Sequence, residues 1–153
     1  MHRRWKALDI NEFLQNRDLS TYTNEPFSKK VEKPWGYEII FTPPTLSYAG
    51  KIIHVQAGKR LSLQVHDKKQ ESYFIASGRG GVMLENTKGE MEEIELQKDQ
   101  GLTVAIGQKH RLFGITDCDI FEVSTPEIGT TFRLEDDYNR PDETEEMREE
   151  ERK

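Results

Sequence analysis

Between residues 37 and 134 the chain alternates between apolar and polar stretches in steps too short for helices. Segments 37–41, 51–56, 61–66, 72–77, 80–85, 91–96, 102–106, 111–115, 119–123 and 130–134 are each rich in β-branched and aromatic residues, and Gly, Pro, Asn or Asp fills nearly every gap. Many short strands at regular spacing predict an all-β sandwich or barrel. Residues 86–89, Asn-Thr-Lys-Gly, read as the loop of a hairpin. Apolar residues make up 34% of the 153 and charged residues 33%, so one thin core is expected and a Leu- and Ala-rich helical bundle is not.

The ends differ from this middle. Residues 1–30 are mostly polar, with one short apolar pattern of Leu8, Ile10, Phe13 and Leu14 around the candidate cap Asp9, which predicts a short N-terminal helix. From Glu135 onward ten acidic residues meet four basic ones, which accounts for the whole net charge of −6. Residues 31–140 are expected to form the barrel. Residues 141–153 are expected to be an acidic solvated helix or frayed tail, because they carry almost no apolar face. A neutral body with an acidic end lacks the basic face that nucleic acid needs. No run approaches the roughly 20 apolar residues of a membrane helix, and the N-terminus lacks a signal-like apolar stretch. Membrane and nucleic-acid partners are therefore not expected. The lone Cys118 permits no intrachain disulfide and fits a reducing, cytoplasmic setting.

In segment 61–66 the side chains alternate strictly: Leu61, Leu63 and Val65 on one face, Ser62, Gln64 and His66 on the other. A polar strand face ordinarily points at water; the alternative is a barrel interior that holds something polar. Glu71 follows His66 by about one hairpin turn, and Gly107-Gln108-Lys109-His110 would return a second imidazole toward the same mouth. One amide oxygen, two imidazoles and a carboxylate suit a divalent transition ion with open positions. The competing reading is coincidence in a polar domain. His54 reads as a packed or surface histidine.

The span 58–78 resembles the first cupin motif and 101–110 the second. More narrowly, Glu-Lys-Pro-Trp-Gly-Tyr-Glu at 32–38, Ser-Leu-Gln-Val-His at 62–66, Ser77-Gly78, His-Arg-Leu at 110–112, Glu122-Val123 and Arg-Leu-Glu-Asp-Asp-Tyr-Asn-Arg at 133–140 are similar to the cupin domain of type II phosphomannose isomerases. In bifunctional members that domain follows a GDP-mannose pyrophosphorylase domain. This chain lacks the Gly-rich opening of such a domain, so no pyrophosphorylase activity is expected.

The resemblance implies a double-stranded β-helix. Its metal ligands fall on Gln64, His66, Glu71 and His110, with zinc favoured over cobalt, manganese, nickel or iron. It implies isomerisation of mannose 6-phosphate and fructose 6-phosphate through an enediolate. Arg133 would stabilise the transition state or phosphate, Lys51 would reach the interior, and Glu122, Asp136, Lys51 or a metal-bound hydroxide would move the proton. Arg140, Lys68, Tyr73 and Trp35 are the candidate sugar-phosphate contacts. The chain departs from the family pattern at Asp67, Lys68 and Ser72, where further His residues are usual, at Asn139 in place of Gly, and at Ser124-Thr125-Pro126. Alternatives are a metal cupin acting on another sugar or as a dioxygenase, and a non-catalytic sugar-binding or regulatory cupin. A homodimer is expected, with the Leu61, Leu63 and Val65 face as one surface to be covered.

Overall fold

Alternation along the strands decides what the barrel encloses. In the computed structural model, which describes residues 9–153, the strand order along the chain is β1 (Lys29–Lys33), β2 (Gly36–Ile40), β3 (Ala49–Val55), β4 (Leu63–His66), β5 (Glu71–Ser77), β6 (Gly80–Glu85), β7 (Met91–Glu95), β8 (Gly101–Val104), β9 (His110–Gly114), β10 (Cys118–Ser124) and β11 (Thr131–Glu135). Helix α1 (Ile10–Gln15) precedes them and α2 (Glu145–Glu151) follows. Two antiparallel sheets form, β1-β2-β3-β10-β5-β8 and β11-β4-β9-β6-β7. This is the expected all-β, double-stranded β-helix architecture.

All ten expected strands are present within a residue or two at most ends. The eleventh, β1, was not legible: Lys-Lys-Val-Glu-Lys buries only Val31, and no apolar alternation marks it. It pairs with β2 from Lys29↔Ile40 to Lys33↔Gly36. Gly36 has φ +151°, and a Cβ there would lie 1.9 Å from the His54 carbonyl oxygen, so only glycine lets β2 approach β3.

The interior is layered along the barrel axis. On β10 the inward residues run Cys118, Ile120, Glu122, Ser124. Register places Ile53, Ile120 and Ile75 side by side, and Lys51, Glu122 and Tyr73 side by side one step further along. One end is thus an apolar plug of Val55, Ile75, Val82, Leu112 and Ile120. The other end is a buried polar layer, and the functional residues sit there.

Two expectations about faces change. Leu61 precedes β4 and joins the core at 8% exposure, while Leu63 and Val65 are half-buried, so these three do not form one outward apolar face. Leu63 and Val65 do keep an outward apolar face with Phe132 and Leu134 of β11, and a second exposed apolar surface lies on the six-stranded sheet. There Ile39, Ile52, Phe121 and Phe74 are successive cross-strand neighbours on β2, β3, β10 and β5, with Phe41 edge-on to Phe121.

The C-terminal segment forms a helix, but a docked one. Thr144 caps α2 by accepting from Met147 N. Arg148, 6% exposed, donates to the carbonyls of Glu127 and Gly129 at 2.7 Å and to Glu143 Oε1 at 2.8 Å. Lys33–Glu151 and Arg152–Glu127 ion pairs flank it. Thr131 and Glu143 pair through their backbones in both directions, at 2.9 Å each. The segment is therefore a strap across one end of the barrel, docked by polar bonds where apolar contacts were the only ones the sequence could have announced. At the other terminus Asp9 caps α1 as expected, Leu8 lies outside the described residues, and no α1 side chain is buried. No helix among the described residues is long and apolar enough to cross a membrane.

Candidate active site

Three neighbouring strands build the polar end. β4 carries Gln64 and His66 on its inward face, and Gln64 is the cross-strand partner of His110, the first residue of β9. β5 opens with Glu71, opposite Ser124. His110 Nε2 lies 2.8 Å and His66 Nε2 3.1 Å from Glu71 Oε1, and all three residues are almost fully buried. Their donor atoms fall within 4.8 Å of one another, so the cluster could hold a metal ion.

The outer contacts of these ligands fit that use. His110 Nδ1 is 2.9 Å from the Gln108 carbonyl oxygen, which can only accept, so Nδ1 carries the proton and Nε2 turns its lone pair inward. His66 Nδ1 is 3.0 Å from Thr131 Oγ1. Burial lowers the His66 pKa against the pull of Glu71, keeping the imidazole neutral, as a ligand must be. Gln64 Oε1 accepts from Ser62 Oγ at 2.8 Å, leaving Nε2 facing both imidazoles at 3.3 and 3.5 Å. The two ends of an amide are assigned from such contacts. Turned over, Gln64 offers its oxygen to the cluster and its nitrogen to Ser62.

Behind the cluster lies a buried ionic network. Lys51 Nζ is 2.7 Å from Glu127 Oε1, 3.2 Å from Glu38 and 3.7 Å from Glu122. Lys69 Nζ is 2.9 Å from Glu71 Oε2, 3.1 Å from Glu122 and 3.5 Å from Glu127. The Lys69–Glu71 contact is close but not aligned as a hydrogen bond, since Glu71 Oε2 has no such partner. Burial opposes the charge on Lys51, yet Glu122, Glu127 and Glu38 outweigh it and hold its pKa well above the usual lysine value. Lys69 is raised in the same way, by Glu122 and Glu71.

Four carboxyl groups thus meet two buried ammonium groups, with Arg152 reaching Glu127 from the surface. Negative charge is in excess. Burial answers it by pushing Glu122 up to about 8, although Lys51 and Lys69 pull the other way. A divalent cation in the adjoining cluster would relieve the same excess. Tyr73 donates to Glu71 Oε1 at 2.5 Å, and burial together with Glu71 holds its phenol protonated.

The remaining sequence candidates divide. A cavity lined by Gln64, His66, Lys51, Lys69 and Glu122 adjoins the cluster, and Trp35, 2% exposed, lines it with its indole N–H buried and unpartnered. Arg133 and Arg140 also line it. Arg140 is tied to Asp136 by a two-pronged pair at 2.8 and 3.0 Å, and Asp136 itself does not line the cavity. Lys68 is exposed and outside the cavity; its neighbour Lys69 is the buried one. Sequence reasoning missed Lys69, Glu38, Glu127, Glu143, Arg148 and Lys33. Lys33 and Glu38 stand within the quoted 32–38 motif, and that is the one signal that pointed at any of them.

The family described as "Mannose-6-phosphate isomerase C-terminal" matches residues 20–143. Xanthan biosynthesis protein XanB from Xanthomonas campestris pv. campestris is 32% identical in one strain and 28% in another, each over 138 residues and 86% of this chain. The chain spans 28% of the length of these relatives. Among solved structures, an E162A mutant of Bacillus subtilis oxalate decarboxylase superposes with TM-score 0.62 at 18% identity, covering 74% of this chain and 33% of that one. KdgF from Halomonas sp. gives 0.54 at 14% identity, covering 62% and 83%. At such identities these two likenesses concern the fold alone.

Proposed function

Because the chain belongs to the mannose-6-phosphate isomerase C-terminal family, we propose that it is a metal-dependent isomerase interconverting mannose 6-phosphate and fructose 6-phosphate. The observation that carries the reading is the His66–Glu71–His110 cluster lying directly against the buried Glu122, flanked by Lys51 and Lys69. A divalent ion held by those three ligands and Gln64, zinc first among the candidates, would supply Lewis acidity toward the sugar's carbonyl and hydroxyl oxygens.

The chain's own groups do the rest. Aldose–ketose exchange moves a proton between adjacent carbons and develops an enediolate. Glu122, buried between Lys51 and Lys69 beside the cluster, is the group to take that proton from one carbon and return it to the next. Lys51 and Lys69, both buried, keep fixed positive charge beside the developing oxyanion. Trp35 Nε1, a buried donor without an acceptor, is suited to a sugar hydroxyl. Tyr73 fixes the Glu71 carboxylate. Arg133 faces the cavity and takes the anionic end of the substrate, with Arg140, held by Asp136, lining the wall beside it. The reading includes a cytoplasmic enzyme working as a homodimer, the Ile39, Ile52, Phe74 and Phe121 surface being the one a second copy would cover.

The test is a coupled assay for fructose 6-phosphate, run on chelator-stripped protein titrated with zinc. Turnover restored by metal, and lost in His66→Ala and Arg133→Ala, supports the isomerase. Folded protein that stays silent with zinc, cobalt, manganese, nickel and iron rejects it.

A further inference from the structure

The cavity is about 50 Å³, far below the roughly 300 Å³ at which small-molecule sites begin. What fills its cationic end is the chain itself. The Glu143 carboxylate is inserted between two guanidinium groups, Oε2 at 3.0 Å from Arg133 Nη2 and Oε1 at 2.8 Å from Arg148 Nε. Lys33 lines the same cavity. Two oxygens of one anion, each taken by a different guanidinium, is an arrangement that serves a phosphate as well as a carboxylate. Arg133 Nε is buried in a side chain only 8% exposed and has no partner, so one donor remains for an oxygen that a carboxylate does not possess.

The cations do not depend on Glu143 for their positions. Arg148 is held by the Glu127 and Gly129 carbonyls, and Arg133 by the Pro141 carbonyl. The Thr131–Glu143 backbone pairing fixes the Glu143 main chain at the cavity edge, so its side chain can swing away while the strap stays docked. Burial disfavours the charged form of Glu143, but Lys33, Lys51, Arg148 and Arg133 hold it below the usual carboxylate range, so the group is an anion at neutral pH.

We propose that Arg133, Arg148 and Lys33 form a binding site for a phosphomonoester group, and that Glu143 occupies it as an internal competitor which the ligand displaces. The phosphate chemistry follows from these contacts, whereas the identity of the attached sugar rests on the isomerase reading above. Glu143 pairs with the two guanidinium groups, while Lys33 is held by Glu151 at 2.6 Å; that neutralisation stabilises the ligand-free chain, and it lowers apparent affinity by the fraction of time the site is self-occupied.

Calorimetric titration of the full chain with inorganic phosphate, mannose 6-phosphate and mannose tests this in wild type, Glu143→Gln and Arg133→Ala. Glu143→Gln keeps the side chain's shape and the backbone pairing. It is expected to bind both phosphates about tenfold more tightly than wild type, with mannose unchanged and Arg133→Ala binding neither anion. A gain for mannose 6-phosphate alone supports a phosphate that must arrive on a sugar. Equal affinities of Glu143→Gln and wild type for both anions, or no anion binding in any form, overturn the proposal. Should Glu143→Gln not fold, the ¹³C-carboxyl resonance of Glu143 in the wild-type chain decides: it shifts on saturation with phosphate if the carboxylate is displaced, and an unmoved resonance overturns the proposal. These readouts are of binding, so absence of isomerase turnover leaves them standing, and their failure leaves the isomerase assay to be judged by itself.

Discussion

The Thr131 hydroxyl stands 3.0 Å from Nδ1 of His66, while the backbone of the same residue pairs in both directions with Glu143. One buried residue thus touches both the ligand cluster and the strap. A partner on the far ring nitrogen fixes how an imidazole faces its metal, and losing such a partner costs about 10–100-fold in affinity. Thr131→Val, which keeps the shape and removes the hydroxyl, is expected to lose zinc affinity on that scale in chelator competition, with Thr131→Ser restoring most of it. A Val variant that holds zinc as tightly as wild type would mean packing alone orients His66.

The cluster and its surroundings differ in how far they could be read from sequence. Gln64 and His66 were legible because 61–66 alternates, and only a polar interior or water could explain a polar face. Glu71 and His110 are 39 positions apart in the numbering, and they meet because Gln64↔His110 registers β9 on β4, whose last residue His66 leads by a short turn to Glu71 at the start of β5. Spacing offered that juxtaposition with coincidence as its competitor, and the family resemblance is what favoured it. The strap was not legible for a different reason. An acidic segment with no apolar face looks solvated, and what docks it is one arginine reaching the carbonyls of Glu127 and Gly129, acceptors that every residue has and no sequence pattern marks.

That docking makes Arg148 the test of the strap. Removing it leaves the Glu127 and Gly129 carbonyls without their donor and takes from the Glu143 carboxylate one of its two guanidinium partners, and losing one partner of a buried charged network costs about 3–5 kcal/mol. Arg148→Ala is expected to bring the α2 amides to near-unprotected hydrogen exchange while β3, β5 and β10 keep their protection. Retained protection in α2 would assign the docking to the Lys33–Glu151 and Arg152–Glu127 pairs instead.

Glu122 gives the chain a pH dependence with a definite sign. Its folded pKa is raised from 4.5 to about 8, so between those values the folded state holds a proton that the unfolded state has released. Stability from this group is therefore present in full below about pH 4.5 and is lost as pH rises through 8, with a limiting slope of about 1.4 kcal/mol per pH unit. Glu71 and Glu127 are shifted the opposite way, which is why the quantity to measure is a difference. In urea unfolding of metal-free protein, the stability of wild type relative to Glu122→Gln should fall from pH 5 toward pH 8. A flat difference would place the extra proton on another member of the network.

Lys68 and Lys69 set the sequence reading against the structure most directly. The turn between β4 and β5 breaks the alternation, so nothing in the sequence says which of two adjacent lysines faces inward. The structure exposes Lys68 and buries Lys69 between Glu71 and Glu122. Given the isomerase chemistry, a fixed positive charge there opposes charge that develops in the transition state, and removing such a group costs on the order of 10²–10³ in kcat. Lys69→Met keeps the length of the side chain and deletes the charge. It is expected to fall by that factor, with Lys68→Met close to wild type in both kcat and KM. If Lys68→Met raised KM for mannose 6-phosphate and Lys69→Met left kcat intact, the surface lysine would be the phosphate contact, and Lys69 would serve only to balance Glu71 and Glu122.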